Sequence, residues 1–128
     1  MNEARRIRGT AARLSGRKAE LWAAALLMLK GYRILGFRLR TPAGEIDLVA
    51  LRGKTLAIVE VKQRATIEAA LEAVGYTQRE RLRRAGKSLA ARRRGLADAF
   101  VRLDLIALAP GRLPRHIVDA WRFDDSAT

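Results

Sequence analysis

The sequence predicts a mixed α/β fold, in which a mixed β-sheet is flanked by helices in the order α-β-β-β-α-β-β. Three observations support this prediction. An apolar helical run near the N-terminus precedes three strand-like runs, a basic stretch with helical periodicity follows them, and two more strand-like runs come last. A chain of 128 residues fits one domain with its own hydrophobic core. We assign residues 15–123 to this single domain, residues 1–14 to a basic tail or helix start, and residues 124–128 to a disordered tail.

The first predicted helix begins after Ser15, which fits an N-cap, and ends near Lys30, where Gly31 fits the residue that follows a helix. A helix this apolar is expected to pack against a sheet. We also expect Trp22 and Trp121 to lie in the core. The apolar residues that cover most of the helix circumference are Leu21, Trp22, Ala25, Leu26, Met28 and Leu29.

Three strands come next, joined by short turns. The first alternates apolar residues with Arg38 and Arg40, which is typical of a strand with one face in water. Glycine and proline mark the turns. The predicted strands are residues 32–40, 45–51 and 56–63, with turns at 41–44 and 52–55.

The second long helix is predicted to begin after Thr77, because Thr77 and Glu80 have the spacing of a capping box. It runs to about Arg94, and Gly95 ends it. The remaining elements are a short alanine-rich helix at residues 67–74 and two strands at residues 101–108 and 115–123.

The charge of the chain points to an anionic partner. Its 26 basic residues outnumber its 13 acidic ones, and 21 of the basic residues are arginine. Arginine suits bidentate contacts with phosphate, so nucleic acid is the expected partner; the alternative is that arginine is simply abundant at solvated positions. No run reaches the roughly 20 apolar residues that a membrane span needs, so we expect a cytoplasmic protein with no membrane partner. The absence of cysteine excludes disulfides and thiolate metal sites.

The second long helix carries much of the positive charge. Leu82, Ala85 and Leu89 form its apolar stripe, whereas most of its other positions are basic and few acids offset them. A charged helix face is usually only solvated, but this excess favours contact with phosphates. The candidate nucleic-acid-binding residues are Arg79, Arg83, Arg84 and Lys87.

The hairpin of the second and third strands contains carboxylates within apolar runs. If Leu51 lies opposite Leu56, apolar residues pair with each other and Asp47 lies opposite Glu60. Two facing carboxylates repel, and a cation between them relieves the repulsion. Lys62 supplies one positive charge, whereas Mg²⁺ or Mn²⁺, which prefer oxygen ligands, would supply two.

The hairpin therefore has two interpretations. As a metal site, it would hold the ion through Asp47 and Glu60, while Lys62 would orient or deprotonate a water molecule or stabilise charge on a phosphate. As an edge hairpin, its charges would face solvent and protect the strand from aggregation. The residues alone favour the edge hairpin, because Glu-x-Lys is a common surface pattern on strands.

An acid on one strand, followed across a hairpin by Glu-Val-Lys, resembles the active-site signature of the PD-(D/E)XK, or restriction-endonuclease-like, nuclease superfamily. More narrowly, the chain resembles the YraN-like bacterial family over roughly residues 16–121. The segments that carry this resemblance are GRKAELWAAALLMLKGYRILGFRLR, GEIDLVA, LAIVEVKQR, the basic helix, RLDLIAL and RHIVDAW.

The resemblance implies a restriction-endonuclease-like sheet flanked by helices and a Mg²⁺- or Mn²⁺-dependent endonuclease. Its substrate would be DNA, with branched or damaged DNA as candidates, and a homodimer is the candidate assembly by analogy. Asp47 matches the first metal-binding acid of the superfamily, and Glu60 and Lys62 match its (D/E)-x-K pair. Glu20 matches an acid near the metal, and Gln78 matches a polar residue at the start of the following helix.

Several of these residues have a second interpretation. Glu20 also fits an acid favoured by the helix dipole, and Gln78 a tolerated polar residue in a first helical turn. His116 is expected to be structural, and Asp104 to pair with an arginine. For the whole chain, the alternative is a non-catalytic nucleic-acid-binding accessory module on the same fold. The intact Asp47, Glu60 and Lys62 set favours the enzyme.

Overall fold

The structure, a computed structural model, describes residues 17–122. The predicted tails at 1–14 and 124–128, the predicted cap Ser15, and Phe123 at the end of the last predicted strand lie outside this range. Helix α1 covers residues 17–29 within it. The other elements are β1 (Arg33–Thr41), β2 (Gly44–Arg52), β3 (Thr55–Gln63), α2 (Ile67–Glu72), α3 (Tyr76–Arg92), β4 (Phe100–Leu108) and β5 (Arg115–Ile117).

The five strands form one mixed sheet in the order β1-β2-β3-β4-β5. β3 and β4 are parallel, because helices α2 and α3 connect them, whereas the other neighbours are antiparallel. This mixed sheet with flanking helices confirms the predicted fold class, with the short α2 placed directly before α3. None of the helices between residues 17 and 122 combines the length and apolar character needed to cross a membrane.

Alternation along the strands divides the core into two layers. On one face of the sheet, Ile58 of β3 packs in the same cluster as Leu82 of α3. On the other face, Val59 packs in the same cluster as Ala23 and Leu27 of α1. The sheet is therefore covered by α3 on one side and by α1 on the other, and β2, β3 and β4 are buried between them.

Close packing fixes the position of α3 on the sheet. A Cβ atom at Gly86 would lie 2.6 Å from Cγ1 of Ile58 and 2.8 Å from Cγ1 of Val101, so only glycine allows this approach. Gln78 and Leu82 precede Gly86 by two turns and one turn on the same helix face. The close approach at Gly86 therefore directs Gln78 towards the sheet.

The predicted start of α3 is wrong. The helix begins at Tyr76 with Gly75 as its N-cap, and no side chain caps it. Thr77 and Glu80 thus lie inside the first turns and do not form a capping box. The extended backbone of Gly75 starts the helix earlier, so Gln78 is its third residue.

The last strand is much shorter than predicted. β5 ends at Ile117, and the chain then turns through Asp119, which has a φ of +51°. The turn allows Trp121 to fold back, where its indole Nε1 donates a hydrogen bond of 3.2 Å to the carbonyl oxygen of Leu71. Trp121 is buried, as predicted.

Helix α1 packs through three alanines and Leu27, and most of its large residues point outwards. It ends at Leu29, and Gly31 follows with a φ of +90°, as expected for a helix stop. Small side chains bring a helix close to a sheet, which leaves the larger residues pointing outwards. The prediction that Trp22 lies in the core is wrong, since 61% of it is exposed. The buried residues are Ala19, Ala23, Ala24 and Leu27, and the exposed ones are Leu21, Trp22, Met28 and Leu29.

Candidate active site

The predicted register of the hairpin is confirmed. Leu51 pairs with Leu56, and the backbone pairing continues as far as Leu48 and Val59. Asp47 and Glu60 are the next residues along the two strands. Here the carboxylate of Asp47 accepts a hydrogen bond of 3.2 Å from the backbone N–H of Val61. The two carboxylates therefore meet where the regular pairing of β2 and β3 ends.

The backbone is also irregular on the other side of Asp47. The pairing of β1 with β2 passes from Phe37–Leu48 to Leu39–Ile46, and Arg38 lies between them with a φ of +50°. A positive φ is rare and strained for a residue other than glycine. Strained backbone of this kind is concentrated at functional sites, which draws attention to Asp47.

Glu60 is buried among few compensating groups. Lys62 Nζ lies 3.3 Å from its Oε1 atom, and Gln78 Nε2 donates a hydrogen bond of 3.3 Å to the same atom. Burial and then the charge of Asp47 raise the pKa of Glu60, Lys62 lowers it, and the net result is a pKa of about 7. Near neutral pH, this carboxylate is thus poised between its two protonation states.

The donor set fits a small divalent cation. Asp47 is half-buried and Glu60 is 4% exposed, and both offer carboxylate oxygens. Between residues 17 and 122 the structure has no cluster of three or more His, Cys, Asp or Glu side chains that could hold a metal ion. An ion bound to two carboxylates keeps positions open for water and phosphate, which is the usual arrangement for Mg²⁺. The residues present therefore fit Mg²⁺ or Mn²⁺.

Glu20 is connected to this group indirectly. It lies on α1, which covers the opposite face of the sheet from α3, and its Oε1 accepts a hydrogen bond of 3.0 Å from Arg38 Nε. Arg38 is the residue of β1 that lies beside Asp47. The structure therefore brings Asp47, Glu60, Lys62 and Gln78 together, whereas Glu20 contacts Arg38 and none of these four residues.

The four predicted nucleic-acid-binding residues have different surroundings. Arg79 donates a hydrogen bond of 2.8 Å to the carbonyl oxygen of Val74, and its guanidinium lies over the rings of Tyr76 and Trp121. Arg83 is half-buried. Arg84 and Lys87 are exposed. Only the last two present their charged groups freely to solvent, so the four residues do not form one uniform surface.

Arg81 is a residue of the site that the sequence analysis missed. Its Nη1 donates a hydrogen bond of 3.2 Å to the carbonyl oxygen of Glu45, and it packs where a side chain at Gly44 would stand. Gly44 itself has a φ of +129°, a conformation that favours glycine. Arg81 thus ties α3 to the strand that carries Asp47. Its spacing of three residues from Gln78 was the available signal.

Comparison with known proteins identifies relatives of the chain. The model of the uncharacterised protein family UPF0102 matches residues 19–108. A UPF0102 protein of Caulobacter vibrioides (strain NA1000 / CB15N) is 72% identical over 117 residues, which cover 91% of this chain and 94% of that protein. UPF0102 proteins of Parvibaculum lavamentivorans and Agrobacterium fabrum are 51% and 47% identical, over 89% and 83% of this chain and 86% and 87% of their own lengths. These matches confirm the resemblance to YraN-like proteins, and the chain belongs to the uncharacterised protein family UPF0102, the YraN family.

Proposed function

We propose that the protein is a divalent-metal-dependent nuclease that hydrolyses phosphodiester bonds in DNA, with branched or damaged DNA as the candidate substrates. The observation that carries this proposal is the meeting of Asp47 and Glu60 beside Lys62 where the pairing of β2 and β3 ends. The pKa of Glu60 is raised to about 7, mainly by burial and by Asp47, so the pair is short of positive charge. A perturbed carboxylate pair of this kind is disposed to bind a cation.

Each residue has a role in this proposal. Asp47 and Glu60 hold Mg²⁺ or Mn²⁺, which when bound supplies positive charge next to the scissile phosphate. Lys62, whose Nζ lies 3.3 Å from Glu60 Oε1, orients or deprotonates the attacking water or stabilises charge on the phosphate. Gln78 orients the Glu60 carboxylate through its hydrogen bond. Glu20 acts through Arg38 as a positioning residue.

Contacts with DNA would come from the basic surface. The formal charge of +13 supports binding to phosphates. Arg84 and Lys87 are the exposed members of the basic set on α3 and would contact the DNA backbone directly. Arg79 and Arg83 would support the helix that presents them. A cytoplasmic location belongs to the same proposal, because chromosomal DNA is found there in bacteria.

A homodimer is also part of the proposal, because an enzyme that makes paired cuts needs two active sites. Leu21, Met28 and Leu29 lie at helical spacing on the outer side of α1, and each is more than half exposed. An isologous dimer would bury them against their own copies. Light scattering on the wild type beside a Leu21→Ser variant would test this assembly, and a monomer at all concentrations would exclude it.

A second candidate function is a non-catalytic module that binds nucleic acid. It is favoured by the lack, within residues 17–122, of a cluster of three metal-ligating side chains. In this case the basic surface would bind DNA and the carboxylates would hold no ion. The two functions differ first in metal binding at Glu60 and then in cleavage of DNA.

The first experiment is isothermal titration of Mg²⁺ and Mn²⁺ into the wild type and into Glu60→Gln at pH 8. We expect binding to be lost in the variant, because one of the two carboxylates is gone. Asp98→Asn removes an exposed carboxylate and serves as the control. Equal binding by the wild type and Glu60→Gln, or no binding even with a DNA junction present, would favour the accessory module.

The second experiment measures cleavage of linear, branched and single-stranded DNA. Lys62→Gln removes the ammonium group and leaves both carboxylates in place. We expect metal binding to persist while the cleavage rate falls by about 10²- to 10⁴-fold. Lys54→Gln, in the turn between β2 and β3, is the matched control. An unchanged cleavage rate in Lys62→Gln would remove this lysine from the proposed mechanism.

A further inference from the structure

An open cleft of about 750 Å³ lies beside the candidate active site, on the α1 side of the sheet. The last residues of β3 and β4, Gln63 and Leu108, pair with each other and form part of its wall. The first described turns of α1 and the loop after β4 complete the wall, with Trp22 on the helix and Leu113 on the loop. The cleft therefore occupies the end of the sheet at which β3 and β4 finish.

The lining of this cleft combines two kinds of group. Its large exposed apolar side chains are Trp22 and Leu113, which are 61% and 88% exposed. Among the residues of the wall that lie within 17–122, the charged ones are all cations, namely Lys18, Arg64 and Arg112. A ligand that satisfies both kinds of group has a flat apolar part and an anionic part. An unpaired nucleotide has this composition, because its base can stack on an aromatic ring while its phosphates contact basic side chains.

A duplex fits this lining less well. In duplex DNA the bases stack on each other and present only their edges in the grooves, so an indole ring cannot lie against a base face. In a single strand the base faces are available for stacking. A cleft lined by an exposed tryptophan and by cations therefore favours single-stranded over double-stranded DNA.

The position of the cleft connects it to the candidate active site. Arg64 is two residues beyond Lys62, which corresponds to about 7 Å along an extended chain. Lys62 lies on the α3 side of the sheet, whereas the cleft lies on the α1 side. A single DNA strand that contacts both Lys62 and the cleft must therefore pass over the end of β3. The cleft would then hold nucleotides close to the phosphate at the candidate site.

We propose that this cleft binds an unpaired single-stranded segment of DNA, with a base against Trp22 and Leu113 and phosphates against Lys18, Arg64 and Arg112. This inference rests on the proposed function in taking DNA as the ligand, and it narrows the substrate class to DNA with a single-stranded segment next to the cleavage point.

The test uses the full-length protein, a 12-nucleotide oligothymidine and a 12-base-pair duplex, without metal so that no DNA is cleaved. Trp22 is exposed and Trp121 is buried, so quenching of tryptophan emission on binding reports mainly on Trp22. We expect the single strand to quench the emission of the wild type. Because the Trp22 variants lack this reporter, their affinities are measured by the fluorescence anisotropy of a labelled oligothymidine, and Trp22→Ala should weaken binding by about 5- to 100-fold. Trp22→Phe keeps an aromatic ring and should retain part of the affinity.

A matched pair of leucines controls for general loss of apolar surface. Leu113 and Leu29 are 88% and 86% exposed, but only Leu113 lines the cleft. Leu113→Ala should weaken binding of the single strand, whereas Leu29→Ala should not. Both side chains are exposed, so both variants should fold as the wild type does.

The phosphate contacts are tested by salt dependence. Arg64→Gln and Arg112→Gln should each reduce the slope of log K against log salt concentration by about 0.7. Arg33→Gln removes an exposed arginine from the start of β1, at the other end of the sheet, and should leave the slope unchanged. If Arg64→Gln and Arg112→Gln show the same salt-dependence slope as Arg33→Gln and the wild type, these two arginines do not contact phosphate.

Two outcomes overturn the inference and one separates it from the proposed function. Unchanged affinity for the single strand in Trp22→Ala excludes stacking in the cleft. A change of oligomeric state in Trp22→Ala and Leu113→Ala, without a change in affinity, makes the cleft an interface between copies of the chain. Tight single-strand binding that depends on Trp22, together with no metal binding and no cleavage, supports the cleft and refutes the nuclease.

Discussion

Two buried carboxylates on neighbouring parallel strands have opposite surroundings. Asp104 of β4 faces the α1 side of the sheet, and its two oxygens accept hydrogen bonds from Arg102, His116 and the backbone N–H of Asp119, all at 2.8 or 2.9 Å. Glu60 of β3 faces the α3 side, has longer contacts of 3.3 Å with Lys62 and Gln78, and also meets the carboxylate of Asp47. Both side chains are almost inaccessible to solvent, so burial alone does not distinguish them.

The difference appears in their pKa values. Burial opposes ionisation of Asp104, but the hydrogen bonds from His116, Arg102 and Asp119 outweigh it and lower the pKa. For Glu60, burial and the charge of Asp47 outweigh Lys62 and raise the pKa to about 7. A carboxylate that holds the fold together is supplied with donors by the protein itself. A carboxylate whose negative charge is not fully compensated by the protein can be stabilised by a bound cation.

The Asp104 cluster extends to the surface through His116. Lys30 Nζ lies 2.9 Å from His116 Nδ1, and an ammonium group can only donate. Nδ1 of His116 is therefore the acceptor, and Nε2 carries the hydrogen that is donated to Asp104. This arrangement confirms the pairing of Asp104 with an arginine, and it makes His116 part of the same structural network, as the sequence analysis expected.

The largest expected effect comes from Asp104→Asn. The substitution leaves the largely buried Arg102 without its charged partner, which typically costs about 3–5 kcal/mol of unfolding free energy. Urea unfolding followed by circular dichroism measures the loss. Asp98→Asn, on the surface, should change the same quantity by less than about 0.5 kcal/mol. Similar small effects in both variants would mean that Asp104 has no special structural role.

The next effect is the pH dependence that Glu60 gives to stability. The folded state binds the proton of Glu60 more tightly than the unfolded state, because the pKa is about 7 instead of 4.5. Stability should therefore fall as pH rises between these values, by up to about 3 kcal/mol from this group. Glu60→Gln should flatten the decline in urea unfolding measured from pH 4.5 to 7.5.

Asp104 contributes with the opposite sign and in another pH range. Its lowered pKa gives stability that is present above pH 3.8 and is lost only as pH falls through the folded pKa. The two contributions therefore do not overlap. A decline above pH 4.5 that persists unchanged in Glu60→Gln would assign it to another group.

A smaller gain is expected from Asp47→Asn. Removing one of two facing carboxylates relieves their repulsion, while the amide oxygen of asparagine can still accept the hydrogen bond from Val61. The metal-free protein should become more stable by about 1 kcal/mol at pH 8. Glu45→Gln, an exposed change on the same strand, is the control for thermal unfolding. A loss of stability in Asp47→Asn would make Asp47 a structural residue like Asp104.

The smallest effect should follow Gln78→Ala. Its hydrogen bond to Glu60 is long, at 3.3 Å, so its loss should reduce stability at pH 8 by only about 0.5 kcal/mol. The pKa of Glu60 should rise slightly, which NMR titration can follow through the carboxyl carbon of Glu60. Thr77→Ala, the exposed neighbour on α3, is the control. An effect as large as that of Asp104→Asn would show that Gln78 is structurally essential.

The sequence predicted the hairpin well because local rules determine it. Pairing Leu51 with Leu56 follows from matching apolar residues across a short turn. That register by itself predicts that Asp47 and Glu60 lie opposite each other. The fold class followed from the order of helical and strand-like runs. The roles of Glu60 and Lys62 came from the resemblance to known nucleases and stay predictions until metal binding is measured.

The errors arose where distant parts of the chain decide the outcome. The partners of Asp104 come from β5 and the turn after it, so only the arginine two residues away was predictable. The start of α3 is determined by the extended backbone of Gly75 rather than by a side-chain cap. Trp22 was placed in the core because periodicity does not tell which apolar side of a helix meets a sheet. In the structure, the side of α1 that carries the alanines meets the sheet.

The missing side chain of Gly86 has an effect far from its own position. Gly86 follows Gln78 by eight residues, which is about 12 Å along the helix. Because α3 contacts Ile58 and Val101 at this point, a methyl group added at Gly86 would push the helix away from the sheet. Since the helix is stiff, its N-terminal part would tilt as well. Gln78 would then move away from the carboxylates, and Arg81 would move away from the β1–β2 turn. The distance between Gln78 and Glu60 therefore depends on the absence of a Cβ atom at Gly86.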